Sequence, residues 1–197
     1  MSVFIKICGL GDQQHVDSAV AGGANALGFV FAGSVRKVTP GHARTISARV
    51  PPHVKRVAVM LHPGNDEWLE VLNIFEPDVL QTDSGDFDAL DVPYSVERWP
   101  VFREGGPKPD TDDTFVFEGP RSGQGETVDW SAAARLAANG DMILAGGLGV
   151  DNVAQAIATV RPWGVDVSSG VESAPGQKDS ALIRQFISAV RAAEKAL

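Results

Sequence analysis

The 197-residue chain predicts a closed (β/α)₈ barrel, and three observations carry that expectation. Eight apolar, strand-like runs alternate with amphipathic helix-like segments, the pattern of a parallel sheet whose crossovers are helices. The count of eight fits a sheet closed on itself better than an open one. Two of the last runs break at their carboxyl ends into glycine and small polar residues, at the edge where parallel sheets bind ligands.

The first run, Phe4 to Cys8, puts Phe4, Lys6 and Cys8 on one face and Ile5 and Ile7 on the other. The isoleucines suit a helix-packed exterior, which leaves Lys6 and Cys8 inside, Cys8 at the strand end before Gly9. A lysine beneath a cysteine favours the thiolate, so Cys8 is a candidate base or nucleophile. Further strands are expected over Ala26 to Phe31, Arg56 to Leu61, Asp78 to Thr82, Tyr94 to Phe102 and Thr114 to Glu118. Helices are expected near Gln13 to Ala21, Gly41 to Arg49, Asp66 to Phe75, Ser131 to Asn139, Val150 to Val160 and Ser180 to Ala193. Asp66, Ser131, Asp151 and Asp179 stand where N-caps or first-turn acids belong. Only Asp83 to Pro93 separates the fourth and fifth strands, and only Glu104 to Asp113, rich in glycine and proline, the fifth and sixth. The helices after strands 4 and 5 are therefore expected to be shortened or missing, which fits the barrel into fewer than the roughly 250 residues typical of the fold.

The seventh run, Met142 to Gly147, ends in Gly146-Gly147, and the eighth, Val165 to Ser169, in Ser169-Gly170. Glycine lets backbone N–H groups approach an anion closely, so the two ends suggest a shared phosphate clamp with a helix N-terminus in support. Alternation turns Val165 and Val167 to one face and Asp166 and Ser168 to the other, an unusually polar inner face for a core strand.

Bulk composition bounds the function. A 44% hydrophobic chain of this length predicts a single domain over residues 1–197. Its net charge of −8 argues against nucleic acid or an anionic membrane as partner. The lone Cys8 excludes an intrachain disulfide, and the opening apolar run is too short for a signal peptide, so a cytoplasmic protein is expected. His15, His42, His53 and His62 lack metal-ligand spacing, so no metal is expected. Trp68, Trp99, Trp130 and Trp163 read as core or rim packing. Gly123-Gln124-Gly125 follows no matching strand and is a weak nucleotide-loop signal.

Lys6-Ile-Cys-Gly9, Ala26 to Phe31, Ser34-Val-Arg-Lys-Val38, Val128-Asp-Trp130, Leu144 to Leu148 and Val165-Asp-Val-Ser-Ser-Gly-Val-Glu172 together resemble the phosphoribosylanthranilate isomerases of tryptophan biosynthesis, in order, over residues 4 to 190. The resemblance implies a TIM barrel without metal or cofactor, monomeric or homodimeric, acting on a small phosphorylated substrate. It implies an Amadori rearrangement in which Cys8 is the general base and Arg36 holds the anthranilate carboxylate. Lys6 and Asp166 are expected at the substrate, and Gly146, Gly147, Ser169 and Gly170 at its phosphate. Glu118 stands where the family carries an aspartic general acid, one methylene or about 1.5 Å longer, with Asp83 and Asp166 as alternatives. Asp83 replaces a histidine of the family pattern and is expected outside direct substrate contact. Two other readings share these features: another sugar-phosphate isomerase or an indole-forming lyase of the same fold, and a non-catalytic barrel that binds a phosphorylated ligand.

Overall fold

The structure is a computed structural model that describes residues 2–107, 109, 113–120 and 127–196. Eight parallel strands close into a barrel: β1 (Phe4–Cys8), β2 (Ala26–Val30), β3 (Lys55–Val59), β4 (Val79–Asp83), β5 (Glu97–Arg103), β6 (Phe115–Glu118), β7 (Met142–Leu144) and β8 (Gly164–Val167). Closure comes from β1 pairing with both β2 and β8. Around it lie α1 (Gln13–Gly22), α2 (Pro40–Ser47), α3 (Asn65–Phe75), α4 (Trp130–Leu136), α5 (Val153–Val160) and α6 (Ser180–Glu194). A 3₁₀ turn over Ser84–Ala89 stands where a helix after β4 would be, and no helix follows β5 among the described residues.

Alternation along the strands sorts the side chains as their chemistry requires. Ile5, Ile7, Leu27, Phe29, Leu80, Phe115, Phe117, Val165 and Val167 point outward into the layer shared with the helices. Ala26, Val57, Val79, Trp99, Val116 and Ile143 point into the barrel with Phe4 and Trp163 packed on them. Phe4 stacks on Trp163 at 4.4 Å and meets Trp99 edge-on at 5.7 Å, plugging the end of the barrel where the strands begin. Burying each large apolar side chain contributes about 1.5–3 kcal/mol, and the aromatic floor leaves the interior space to the opposite end. There the inward positions turn polar: Lys6, Cys8, Gln81, Arg103, Glu118 and Asp166.

Capping fixes several helix starts. Asp12, Asp129 and Asp179 accept backbone N–H groups at the heads of α1, α4 and α6. Asp66 lies in the first turn of α3 and Ser131 inside α4, whereas Asn152, not Asp151, holds the cap position of α5. Tyr94 is exposed ahead of β5, because Pro93 opens a turn and the strand starts only at Glu97. The structure adds one element beyond the predicted set, a hairpin of β9 (Glu172–Ala174) and β10 (Gln177–Lys178) turning at Pro175-Gly176. Pro-Gly is a turn signal that could have revealed it. Gly123-Gln124-Gly125 lies outside the described residues.

Candidate active site

The polar upper interior opens into a cleft of about 390 Å³ at the carboxyl ends of the strands, within the range of small-molecule sites. Cys8, Arg36, Glu118, Gly146, Gly147, Asp166 and Ser169 line it together, although they come from five strand ends spread over the whole chain.

Cys8 sits beside Gly28 of the neighbouring strand, with which it is in register. A Cβ on Gly28 would stand 2.9 Å from the Cys8 sulfur, so this glycine provides the space the thiol occupies. Burial pushes the Cys8 thiol above its ordinary pKa, and the Asp166 charge adds to this; the nearby Lys6 and Lys178 only partly offset both. Burial thus outweighs the lysine that the sequence pointed to, and the balance at Cys8 runs toward the thiol.

Lys6, expected at the substrate, is fully buried beneath the residues that line the cleft. Register explains its role. Lys6 and Asp166 are directly opposite across β1 and β8, and Lys6 Nζ donates to Asp166 Oδ2 at 2.9 Å. Burial disfavours the ammonium, but Asp166 and Cys8 more than offset that and raise its pKa. Asp166 Oδ1 is buried with no hydrogen-bond partner. Such an acceptor is costly unless a ligand supplies a donor.

At the other wall, Arg103 of β5 reaches between two carboxylates. Its Nη1 donates to Glu118, while Nη2 and Nε contact Asp83 at 2.5 and 3.3 Å. Asp83 thus stands outside the cleft lining, held by a guanidinium. Gln81, inward on β4, lines the cleft with a buried and unpartnered Oε1. Sequence reasoning missed Gln81 in the lining and Arg103 behind Glu118; the alternation along β4 and β5 was the signal that turns both inward.

Arg36 lines the cleft but is already engaged. Its Nε and Nη2 donate to Glu172 at 2.6 and 2.9 Å. Lys178 Nζ, expected nowhere in the site, also donates to Glu172 at 2.6 Å. Burial disfavours the Glu172 carboxylate, yet these donors outweigh it and hold its pKa down to about 2.

Gly146 and Gly147 turn the chain at φ 92° and 60°, a left-handed path that suits glycine. They line the cleft with Ser169, whereas Gly170 does not and instead bridges to Gly149 behind them. Gly170, expected at the phosphate, thus lies behind the lining residue Ser169. Nor does a helix open directly on either glycine end: α5 begins at Val153, and Gly170 leads into the hairpin. A Cβ on Gly170 would lie 2.0 Å from the Leu148 carbonyl oxygen and 2.9 Å from Gly149 Cα. Gly170→Ala is therefore expected to force the β7 and β8 loops apart. A loss of about 1–3 kcal/mol in denaturant unfolding should accompany weakened phosphate binding in calorimetry.

Comparison with known proteins gives one answer. The family model for N-(5'-phosphoribosyl)anthranilate isomerase matches residues 5–189. An N-(5'-phosphoribosyl)anthranilate isomerase of Streptococcus pneumoniae (strain Hungary19A-6) is 37% identical over 190 residues, covering 95% of each chain. The crystal structure of a phosphoribosyl anthranilate isomerase from Thermus thermophilus superposes with a TM-score of 0.83 at 30% identity, over 96% of this chain and 99% of that one. A phosphoribosyl anthranilate isomerase solved in complex with reduced 1-(o-carboxyphenylamino)-1-deoxyribulose 5-phosphate superposes at 0.77 with 29% identity, over 96% and 99%. With the barrel, the strand-end glycines and Cys8 in place, the chain belongs to the N-(5'-phosphoribosyl)anthranilate isomerase family.

Proposed function

We propose that this isomerase converts N-(5-phosphoribosyl)anthranilate into 1-(2-carboxyphenylamino)-1-deoxyribulose 5-phosphate, an intramolecular oxidoreduction in tryptophan biosynthesis. The observation that carries the reading is the convergence of Cys8, Glu118, Arg36 and the two strand-end turns on one cleft. Glu118 gives a proton to the furanose ring oxygen as the C1–O bond breaks, leaving an iminium at C1. Cys8, as thiolate, removes the proton on C2 to give an enolamine. Tautomerisation then returns a proton to C1 and leaves the C2 ketone, so C2 is oxidised and C1 reduced with no external electron carrier.

The remaining residues bind and orient. Backbone N–H groups around Gly146, Gly147 and Ser169 receive the phosphate, and Arg36 receives the aromatic carboxylate. The orphaned Asp166 Oδ1 takes a hydrogen bond from a ribose hydroxyl or the substrate amine. These local donors are how a chain of net charge −8 holds an anionic ligand.

The test is turnover of phosphoribosylanthranilate, made in situ from anthranilate and phosphoribosyl pyrophosphate with the corresponding transferase, and followed by loss of its fluorescence. Turnover of this substrate and no other phosphorylated sugar is expected. Binding of the reduced product analogue without turnover would replace the enzyme with a phosphorylated-ligand-binding barrel. Turnover of a different sugar phosphate would assign another isomerase of the fold.

A further inference from the structure

Arg36 is held by an assembly of charged groups built on the end of β8 and the hairpin that follows it. Four donors converge on the Glu172 carboxylate: Arg36 Nε, Arg36 Nη2, Lys178 Nζ and the Gly176 backbone N–H, the last at 3.1 Å. The hairpin creates this convergence, since Glu172 and Lys178 are paired across β9 and β10. Lys178 Nζ also donates to the Ser168 carbonyl at 2.9 Å and contacts Ser168 Oγ at 3.2 Å, tying the assembly to the end of β8. The side chains of Glu172 and Lys178 are 4% and 1% exposed, so this is an interior framework rather than a surface ion pair. The backbone leaves room for it. A Cβ on Gly9, at φ 76°, would stand 2.7 Å from Arg36 Cδ, 3.1 Å from Ser168 Oγ and 3.3 Å from Lys178 Nζ.

A planar guanidinium offers two edges to carboxylates: Nε with one terminal nitrogen, and the two terminal nitrogens together. Glu172 occupies the first edge of Arg36. The second edge is the one left for the cleft that Arg36 lines. Charge follows the same division. An isolated Arg36–Glu172 pair is neutral and attracts an anion weakly; Lys178 cancels Glu172 and returns the arm to a net single positive charge.

We propose that Glu172 is a positioning residue for substrate selection: it fixes one edge of Arg36 so that the other meets the aromatic carboxylate two-pronged, with Lys178 offsetting the charge Glu172 brings. This rests on the reading of the cleft as the phosphoribosylanthranilate site. The mechanism acts on affinity for the carboxylate and leaves the proton transfers at Cys8 and Glu118 to themselves.

Two variants separate positioning from folding. Glu172→Gln removes the charge, while Glu172→Asp keeps a counter-ion for Lys178 and withdraws it from Arg36 by about 1.5 Å. Calorimetry is run with two probes: the reduced product analogue, and the same compound built from aniline and therefore lacking the carboxylate. Loss of one prong of a charge-assisted pair corresponds to about tenfold in affinity. Both variants are expected to weaken the carboxylated probe by about that factor, leave the aniline probe within about twofold, and raise KM with kcat little changed. Equal weakening of both probes, or none, overturns the proposal, as does a wild type that binds them equally or binds neither. Wild-type turnover judges the reaction separately: selective weakening in a protein without turnover would support Glu172 positioning and reject the isomerase reading.

Discussion

Cys8→Ala is expected to lower kcat by about 10²- to 10⁴-fold, the usual contribution of a positioned general base, while the reduced product analogue binds with nearly unchanged affinity. In the proposed mechanism the separation arises because the sulfur abstracts the C2 proton, whereas carboxylate and phosphate are held from other strand ends. Alanine in this position leaves a small space beside Gly28 and takes the Cys8 contact from Lys6, which keeps its ion pair with Asp166. The wild-type pH profile should carry the signature of the same group. Burial places the Cys8 pKa above the ordinary thiol value, so near neutrality only a minor fraction is thiolate. Because the thiolate is the active form, kcat/KM should rise with pH on that limb, approaching tenfold per pH unit well below the pKa. Stopped assays across pH give the profile. A wild-type profile flat from neutrality to mildly alkaline pH, or loss of binding in step with turnover in Cys8→Ala, would remove Cys8 from the role of base.

Much of this site was legible in the chain because strand geometry is periodic. Period two was enough to place Lys6, Cys8 and Asp166 inside and Ile5, Ile7, Val165 and Val167 outside, and the order of strands and helices gave the barrel. Local periodicity does not report how inward side chains pair across the lumen. Arg103 meets Glu118 and Asp83 because β4, β5 and β6 are adjacent and their last inward positions share a level. Similarly, Arg36 and Glu172 lie 136 residues apart and meet only through barrel closure and the hairpin. The direction of the Cys8 shift was illegible for a related reason: a lysine two residues away can be seen in sequence, but the depth of burial cannot. The family resemblance supplied roles for Cys8 and Arg36; it gave no account of Asp83, because this chain departs from the pattern there.

That departure bears on the second large effect. Glu118→Gln is expected to reduce kcat by about 10²- to 10⁴-fold, since an amide has no proton to give the ring oxygen yet can still accept the Arg103 hydrogen bond that Glu118 accepts. A glutamic acid must carry its proton to serve, and Glu118 shares the Arg103 guanidinium with Asp83. When Glu118 is neutral, Arg103 keeps a charged partner in Asp83 through two of its nitrogens, so this half-buried cation retains a counter-charge. The acid in place of a histidine at the end of β4 and the glutamate in place of an aspartate at the end of β6 thus meet through Arg103 of the strand between them. Glu118→Asp, shorter by about 1.5 Å, should fall between wild type and Gln, because the acid survives but is withdrawn from both the cleft and Arg103. Asp83→Asn should lower kcat as well, by leaving Glu118 as the remaining acidic partner of Arg103 in this pair of contacts. Steady-state kinetics on the three variants distinguish these outcomes. Turnover by Glu118→Gln within about threefold of wild type, a loss far smaller than a positioned acid contributes, would assign the proton to another donor. A drop in Asp83→Asn with Glu118→Gln already inactive would show that Asp83 acts through Glu118 only if the double variant is no slower than Glu118→Gln alone.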